Sequence, residues 1–351
     1  MLIRPHTLCL ITTHQCTAAC EGCCFSCAPH IDRRIPPERL ASLIDEASEV
    51  SSIRRIVFTG GECFLLGDEL DSLVARARSH GLGTGCVTNG YWAVSRQIAE
   101  RRISRLAQAG LEEIRFSTGC FHSQYVPVER VGNGACASVC AGLKTRVSIE
   151  NLSKQEFDVS SLVENPEMKH FISKRQIKIN RNVWVQNGAG GPAQDTGQSQ
   201  FAKTRRRGCS TVLQALAVTP DEMLTACCGL PLEQMPELHL GSIKNATLGK
   251  CIEEAPDDFL KLWIRIEGPE RILEFVKRHS PDYRLPLTAS HPCEICLHLY
   301  RDEIAKQIIR DSYKEVERKI RLIYLARMAS AEVGRAFRLI QSGFAPKQIQ
   351  R

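Results

Sequence analysis

The stretch Cys16-Thr17-Ala18-Ala19-Cys20-Glu21-Gly22-Cys23 sets three thiols at C-x3-C-x2-C spacing, just after an apolar run, Leu8 to Thr12, that reads as a β-strand. Soft thiolates grouped this tightly select zinc or iron–sulfur clusters. Structural zinc takes four closed ligands, commonly as two C-x2-C knuckles, which is not this pattern. Three cysteines on one loop hold three corners of an iron–sulfur cube and leave the fourth iron open to a small molecule. A disulfide framework suits small secreted domains; this chain has 351 residues and reads almost at once into a strand, with no secretory signal. The same spacing recurs one step along, at Cys20, Cys24 and Cys27. Cys16, Cys20 and Cys23 are preferred, because Thr12-Thr13-His14-Gln15 then makes a short turn from strand to first ligand.

Outward from this loop, strands and helices alternate. Arg55-Ile56-Val57-Phe58, Gly85-Cys86-Val87-Thr88, Ile114-Arg115-Phe116-Ser117 and Arg146-Val147-Ser148-Ile149-Glu150 are short β-rich runs. Between them, Leu40, Leu43, Ile44, Ala47 and Val50 recur at helical spacing, as do Leu70, Leu73, Val74 and Ala77. Strand alternating with helix predicts parallel βα units. In barrels built from such units, chemistry gathers at the C-terminal strand ends. The cysteine loop, Gly60-Gly61-Glu62, Asn89 and Ser117 all follow strands, so all are expected on one face.

The cysteine triad, followed by Thr59-Gly60-Gly61-Glu62, Thr88-Asn89-Gly90 and Ser117 at successive strand ends, resembles the radical SAM superfamily from about Leu8 to Cys296. The resemblance implies an α/β fold with a partial (β/α)6 TIM-like barrel. It also implies a 4Fe-4S cluster on Cys16, Cys20 and Cys23, and S-adenosylmethionine on the open iron. Gly60 and Gly61 would let backbone approach the cofactor's amino group, with Glu62 near its positive charge. Asn89 and Ser117 complete the implied cofactor-binding set, although Asn-Gly is also an ordinary turn pair. Three positions depart from the family pattern: Gly22 replaces an aromatic residue, Cys63 a proline and Gly119 an aspartate.

The chain has 17 cysteines, and a second set lies in its C-terminal third. Cys209 is followed by Cys227 and Cys228, then by the C-x2-C pair Cys293 and Cys296. Leu216 to Ala226 reads as a hairpin with its turn at Pro220-Asp221-Glu222, so a cysteine at the hairpin exit and a distant C-x2-C can close four thiolates around a cube. This looks like the twitch domain, a truncated relative of the SPASM domain. The likeness implies one auxiliary 4Fe-4S cluster on Cys209, Cys227, Cys293 and Cys296, with Cys228 an alternative to Cys227. Zinc on the same four thiols is the other reading. Glu222 stands where the hairpin turn usually has glycine.

Asn187 to Pro192 reads as the barrel exit after a strand at Val183–Val185, and Gln194 to Gln200 as linker. The expected organisation is a core barrel at 1–193, an auxiliary-cluster domain at 194–300 and a helical extension at 301–351. In the extension, Ile308, Ile309, Tyr313, Val316, Ile320 and Tyr324 form one apolar stripe. Cys63, Cys120 and His122 follow strand ends and are the candidate catalytic side chains; a thiol there can return a hydrogen atom to a carbon radical, as an epimerase needs. Cys9, Cys86, Cys136, Cys140 and Cys251 are expected as buried small apolar residues. Net charge is +7, modest for the length, and Arg205-Arg206-Arg207 reads as solvated surface or as a dock for an acidic group. No aromatic-interleaved basic motif argues for nucleic acid, and no stretch is long and apolar enough for a membrane. So many thiols fit a reducing cytoplasm.

The resemblance implies an enzyme that reductively cleaves S-adenosylmethionine to a 5′-deoxyadenosyl radical and abstracts a hydrogen atom. A flavodoxin- or ferredoxin-type reductant is implied as partner. The expected substrate is a ribosomally made peptide undergoing crosslinking, thioether formation or epimerisation. A barrel starting at the N-terminus would leave a leader peptide to bind directly or through another protein. Dehydrogenation of a small alcohol or sugar is the alternative; an iron–sulfur electron carrier or regulator without turnover is the reading of another class.

Overall fold

The computed structural model describes residues 3–21, 23–151, 156–183, 208–229, 232, 235–284 and 291–341, excluding the side chains of Val183 and of 331–341. Gly22, the strand reading beyond Val183, the barrel exit, the linker, the Arg205–Arg207 run, the expected 193/194 boundary and residues 342–351 lie outside these.

Six strands, β1 (Thr7–Ile11), β2 (Arg55–Thr59), β3 (Gly83–Thr88), β4 (Glu113–Gly119), β5 (Lys144–Asn151) and β6 (Ile177–Val183), pair side by side, all parallel. Between them run α1 (Pro37–Glu49), α2 (Asp68–Ser79), α3 (Arg96–Ala109), α4 (Val128–Cys140), α5 (Ser160–Val163) and α6 (Pro166–Ser173). The fold is an α/β partial barrel with C-terminal helices. The predicted helical stripes are the buried faces: Leu40, Leu43, Ile44 and Ala47 on α1, and Leu70, Leu73, Val74 and Ala77 on α2. One helix covers each strand crossover except the last, which α5 and α6 share, and the apolar outer faces of the strands (Ile114 and Phe116, Val147 and Ile149) meet them in one core.

The sheet continues past β1. Strand β7 (Ala215–Val218) lies parallel to β1, with Thr7 opposite Ala215 and Leu10 opposite Val218. Strand β8 (Met223–Thr225) turns back antiparallel, and β9 (His239–Ser242) follows it. The order is β6-β5-β4-β3-β2-β1-β7-β8-β9, so the hairpin of the expected second domain shares a sheet with the barrel. Its turn places Glu222 at φ +57°, a left-handed conformation that costs a non-glycine residue. The Glu222 carboxylate meets Arg39 of α1 at 2.8 Å and Asp221 meets Arg33 at 2.9 Å, so two ion pairs pin the strained turn to the barrel.

The remaining helices are α7 (Leu248–Glu253), α8 (Phe259–Ile266), α9 (Pro269–His279), α10 (Pro292–Arg301), α11 (Glu303–Ser312) and α12 (Lys314–Gln341). In the last two, Ile309, Ile320 and Tyr324 are buried, and Ile308, Tyr313 and Val316 pack beside them, as the stripe predicts. Of the cysteines expected as small core residues, Cys9, Cys86, Cys136 and Cys251 are buried. Cys140 is not: at the end of α4 its thiol is exposed beside Arg96 and Glu167.

Candidate active site

One cavity of about 720 Å³ runs through the barrel. At the C-terminal strand ends it is lined by Cys16, Cys20, Cys23, Gly60, Gly61, Asn89, Ser117 and His122. Thr7, Arg55, Thr211, Cys228, His291 and Cys293 line its other end. Thr7 and Ile11 bound β1, so these ends are separated by roughly 13 Å of strand at the usual rise.

The first end is built on the backbone. After β1, His14 N–H donates to Arg33 O at 2.8 Å and Cys16 N–H to Ala28 O at 3.3 Å, which shapes the cysteine loop. Gly61 N–H donates to Thr13 O at 2.6 Å and Glu62 N–H to Gln15 O at 3.0 Å. A Cβ at Gly60, whose φ is +137°, would stand 2.5 Å from Thr13 O, and one at Gly61 would stand 2.1 Å from Gln15 O. Both glycines border the cavity, but what demands glycine is the chain's own β1 exit pressed against them. Tyr125 O–H reaches across to Ala19 O at 2.7 Å and ties the loop from the far side.

Glu62 is set back from the cavity. It is wholly buried, does not line the cavity, and accepts Phe64 N–H at 3.0 Å, Thr88 O–H at 2.9 Å and Asn89 N–H at 2.8 Å. Burial raises its pKa to about 7 against these lowering donors. It is a node that fixes β3's exit and places Asn89. Asn89 in turn donates its amide to Thr17 Oγ1 at 3.0 Å and toward Cys16 Sγ at 3.6 Å. Among the thiols, burial pushes Cys16 up to about 11 and Cys20 to about 12. Hydrogen bonds from the neighbouring thiols of Cys24 and Cys27 pull Cys23 down to about 2. The second C-x3-C-x2-C register is therefore not idle: Cys24 and Cys27 also line the cavity and solvate Cys23.

The candidate catalytic residues separate. His122 borders the cavity, with Nδ1 2.9 Å from Glu150 Oε2. Burial lowers its pKa, but the Glu150 carboxylate outweighs this, and the net direction is upward. Cys63 turns away: it is fully buried, its thiol donates to Val87 O at 3.3 Å, and Cys86 is its thiol neighbour. Cys120 is half-buried and also absent from the cavity lining. Two local features account for these placements. The helical turn opening at Cys63 sends its side chain behind β3, and Cys120 follows Gly119, where the chain bends at φ +145°.

At the other end, Cys209 and Cys293 lie within electrostatic reach of both Cys227 and Cys296. Gly229 N–H donates to Cys227 Sγ at 3.0 Å and Thr211 N–H to Cys209 Sγ at 3.4 Å. Cys227 and Cys296 are held well above the usual thiol pKa by burial. His291 caps α10 and accepts Cys293 N–H at 3.1 Å. Cys228 faces the other way, into the barrel, where its thiol pairs with that of Cys9. Among the described residues no three His, Cys, Asp or Glu side chains converge as ligands of a single ion.

Sequence reasoning did not single out Cys228, Arg115, Glu150 or Asn182 as cavity residues. A signal was present: Glu113, Arg115 and Ser117 on β4, and Ser148 and Glu150 on β5, alternate with apolar residues. A buried parallel strand is ordinarily apolar on both faces, so polar alternation marks a hollow interior.

Residues 10–124 match the family model of the radical SAM superfamily. YydG of Bacillus subtilis (strain 168), provisionally named a peptide biosynthesis protein, is 26% identical over 119 residues, 34% of this chain and 37% of that protein. The match thus spans little more than a third of that relative's length. Among solved structures, anSMEcpe with bound AdoMet and the Cp18Cys peptide aligns with a TM-score of 0.51 at 13% identity, over 91% of this chain and 99% of that one. The same protein with AdoMet alone aligns with a TM-score of 0.51 at 14% identity, over 91% and 100%. At these identities the likeness speaks to the fold. The cysteine loop and the two-glycine turn, packed together, both lie inside the region that is similar to the radical SAM superfamily.

Proposed function

We propose that this protein is a radical SAM enzyme that modifies a ribosomally made peptide. The observation that carries the reading is a cavity lined by Cys16, Cys20 and Cys23 at one end and by Cys228 and Cys293 at the other. In this reading Cys16, Cys20 and Cys23 hold the 4Fe-4S cluster. Cys209, Cys227, Cys293 and Cys296 hold an auxiliary one, within the domains 1–193, 194–300 and 301–351. When bound, the first cluster and S-adenosylmethionine supply an electron and a 5′-deoxyadenosyl radical, which takes a hydrogen atom from substrate. The chain's own residues orient and shield. Asn89 steadies Cys16, Gly60 and Gly61 seat the loop, Ser117 and the His122–Glu150 pair form the polar wall, and the barrel excludes water.

A peptide substrate is favoured by the YydG likeness and by the peptide-bound fold relative. Cys228 replaces Cys63 and Cys120 as the candidate thiol for returning a hydrogen atom to a substrate carbon, because it lines the cavity and they do not. A cytoplasmic setting with a flavodoxin- or ferredoxin-type reductant fits 17 unbridged thiols. No described helix is long and apolar enough to cross a membrane.

The test is anaerobic reconstitution and reduction with S-adenosylmethionine and peptides encoded beside the gene, assaying 5′-deoxyadenosine and peptide mass in D2O. Cofactor cleavage that vanishes in the Cys16/Cys20/Cys23→Ala variant is expected, with peptide product carrying one solvent deuteron if Cys228 acts as donor. No iron and no cleavage would sink the reading. Cleavage with sugars or small alcohols only would move it to the dehydrogenase alternative.

A further inference from the structure

Helix α10 carries three chemistry-bearing residues on one stripe. Cys293, Cys296 and Tyr300 follow one another at i, i+3 and i+7, which stacks them along a single face. Side chains on a helix lean toward its N-terminus, so the Tyr300 ring projects back over the turn that holds Cys296.

Tyr300 is buried, and its hydroxyl has no hydrogen-bond partner among the described residues. A buried phenol without a partner is costly, and a phenylalanine would fill the same space without that cost. The charges acting on this hydroxyl belong to Asp258, Cys296, Glu237 and Cys227. Two of these are not its partners. Asp258 is taken up at the start of α8, accepting Leu260 N–H at 2.9 Å and pairing with Lys261, and Glu237 lies exposed. That leaves Cys296 and Cys227. Cys227 and Cys209 each already receive a backbone N–H, whereas Cys296 receives no hydrogen bond among the described residues.

Resting on the reading of these four thiols as holders of an auxiliary 4Fe-4S cluster, we propose that the Tyr300 hydroxyl donates a hydrogen bond to that cluster at the Cys296 corner. A donor aimed at a cluster sulfur stabilises the reduced form and raises the reduction potential. Tyr300 therefore sets how readily the second cluster takes an electron, and does so from within the protein, on the side away from the cavity.

The experiment uses the full chain with Cys16/Cys20/Cys23→Ala, so that only the second cluster is loaded, with and without Tyr300→Phe. Iron content, an EPR-monitored redox titration and pulsed EPR in D2O are read together. The expected result is about four irons in both proteins, a lower potential in the Phe variant, and loss of one exchangeable deuteron coupling. If Tyr300→Phe fails to load iron, 3,5-difluorotyrosine at position 300 keeps the test open. Its more acidic phenol is expected to raise the potential. Equal potentials and unchanged couplings at full iron loading overturn this inference alone. No iron in the triple-cysteine background overturns the auxiliary-cluster reading and the inference with it.

Discussion

Cys16, Cys20 and Cys23 come from eight consecutive residues, whereas Cys209, Cys227, Cys293 and Cys296 come from three distant segments that only the fold brings together. The first group is organised by a loop: backbone hydrogen bonds accepted by the carbonyls of Arg33, Ala28 and Thr13 shape it, and neighbouring thiols pull one thiol far down in pKa. The second is organised by a core: β7 docking on β1, a hairpin and the start of α10 deliver its thiols, and burial holds two of them up. The difference teaches that the first group is delivered by one loop, braced from β2, β3 and β4, while the second requires segments from across the completed sheet. It also suggests separate duties along one cavity.

The largest expected effect tests that separation. Cys16→Ala is expected to abolish 5′-deoxyadenosine formation. Cys227→Ala is expected to leave cofactor cleavage measurable while peptide product disappears. Assaying nucleoside and peptide product in the same reaction decides it. If both variants lose both products equally, the two ends do not divide the work.

How much of this was legible follows the same contrast. The first thiol group, the two-glycine turn and the helical stripes of α1 and α2 are local patterns, readable because period and spacing encode them directly. Long-range placement was not. Whether Glu62 faces ligand or protein depends on donors 26 and 27 residues away, at Thr88 and Asn89. Whether Cys227 or Cys228 joins the second group depends on which side of β8's exit each falls, since adjacent residues point to opposite faces. The hairpin was readable as a hairpin, but its pairing with β1 was not, because nothing within it names the strand it will meet.

Both ends lean on a glycine, and this gives the next prediction. A Cβ at Gly61 would stand 2.1 Å from Gln15 O, and one at Gly208, beside Cys209, would stand 2.1 Å from Arg265 O. Backbone cannot retreat as a side chain can, so each Gly→Ala change is expected to cost on the order of 3 kcal/mol or more. Gly61→Ala should reduce iron at the first site alone, and Gly208→Ala at the second alone. Loss of iron from both sites in either variant would mean that the ends are mechanically coupled.

Glu62 belongs to the first end only. Its folded pKa of about 7 stands above the ordinary 4.5, so the folded chain holds a proton there that the unfolded chain releases sooner. Stability from this group is therefore full below about 4.5 and is lost as pH rises toward 7, by about 3 kcal/mol in total at 1.36 kcal/mol per unit. Anaerobic denaturant titrations across this range are expected to show that slope in the native sequence and not in Glu62→Gln. Parallel profiles would mean that the three donors around Glu62 already hold it ionised throughout.

The smallest effect is expected at Glu222, where the hairpin leading to the second end turns through φ +57°. Two terms oppose each other there. Glycine would relieve a left-handed strain of roughly 1 kcal/mol. It would also remove the 2.8 Å pair with Arg39, a partly buried guanidinium that would keep Glu46 at 2.6 Å, Ser42 at 3.2 Å and the Ile243 carbonyl at 2.7 Å. Glu222→Gly should therefore shift stability by less than about 1 kcal/mol, whereas Glu222→Ala loses the pair, keeps the strain and should cost about 1–2 kcal/mol. The ordering of the two variants is the informative quantity. Alanine less harmful than glycine would show that the turn relaxes out of the left-handed region when Arg39 lets go. The ion pair, rather than the hairpin's own backbone, would then be what holds the second end in register with the first.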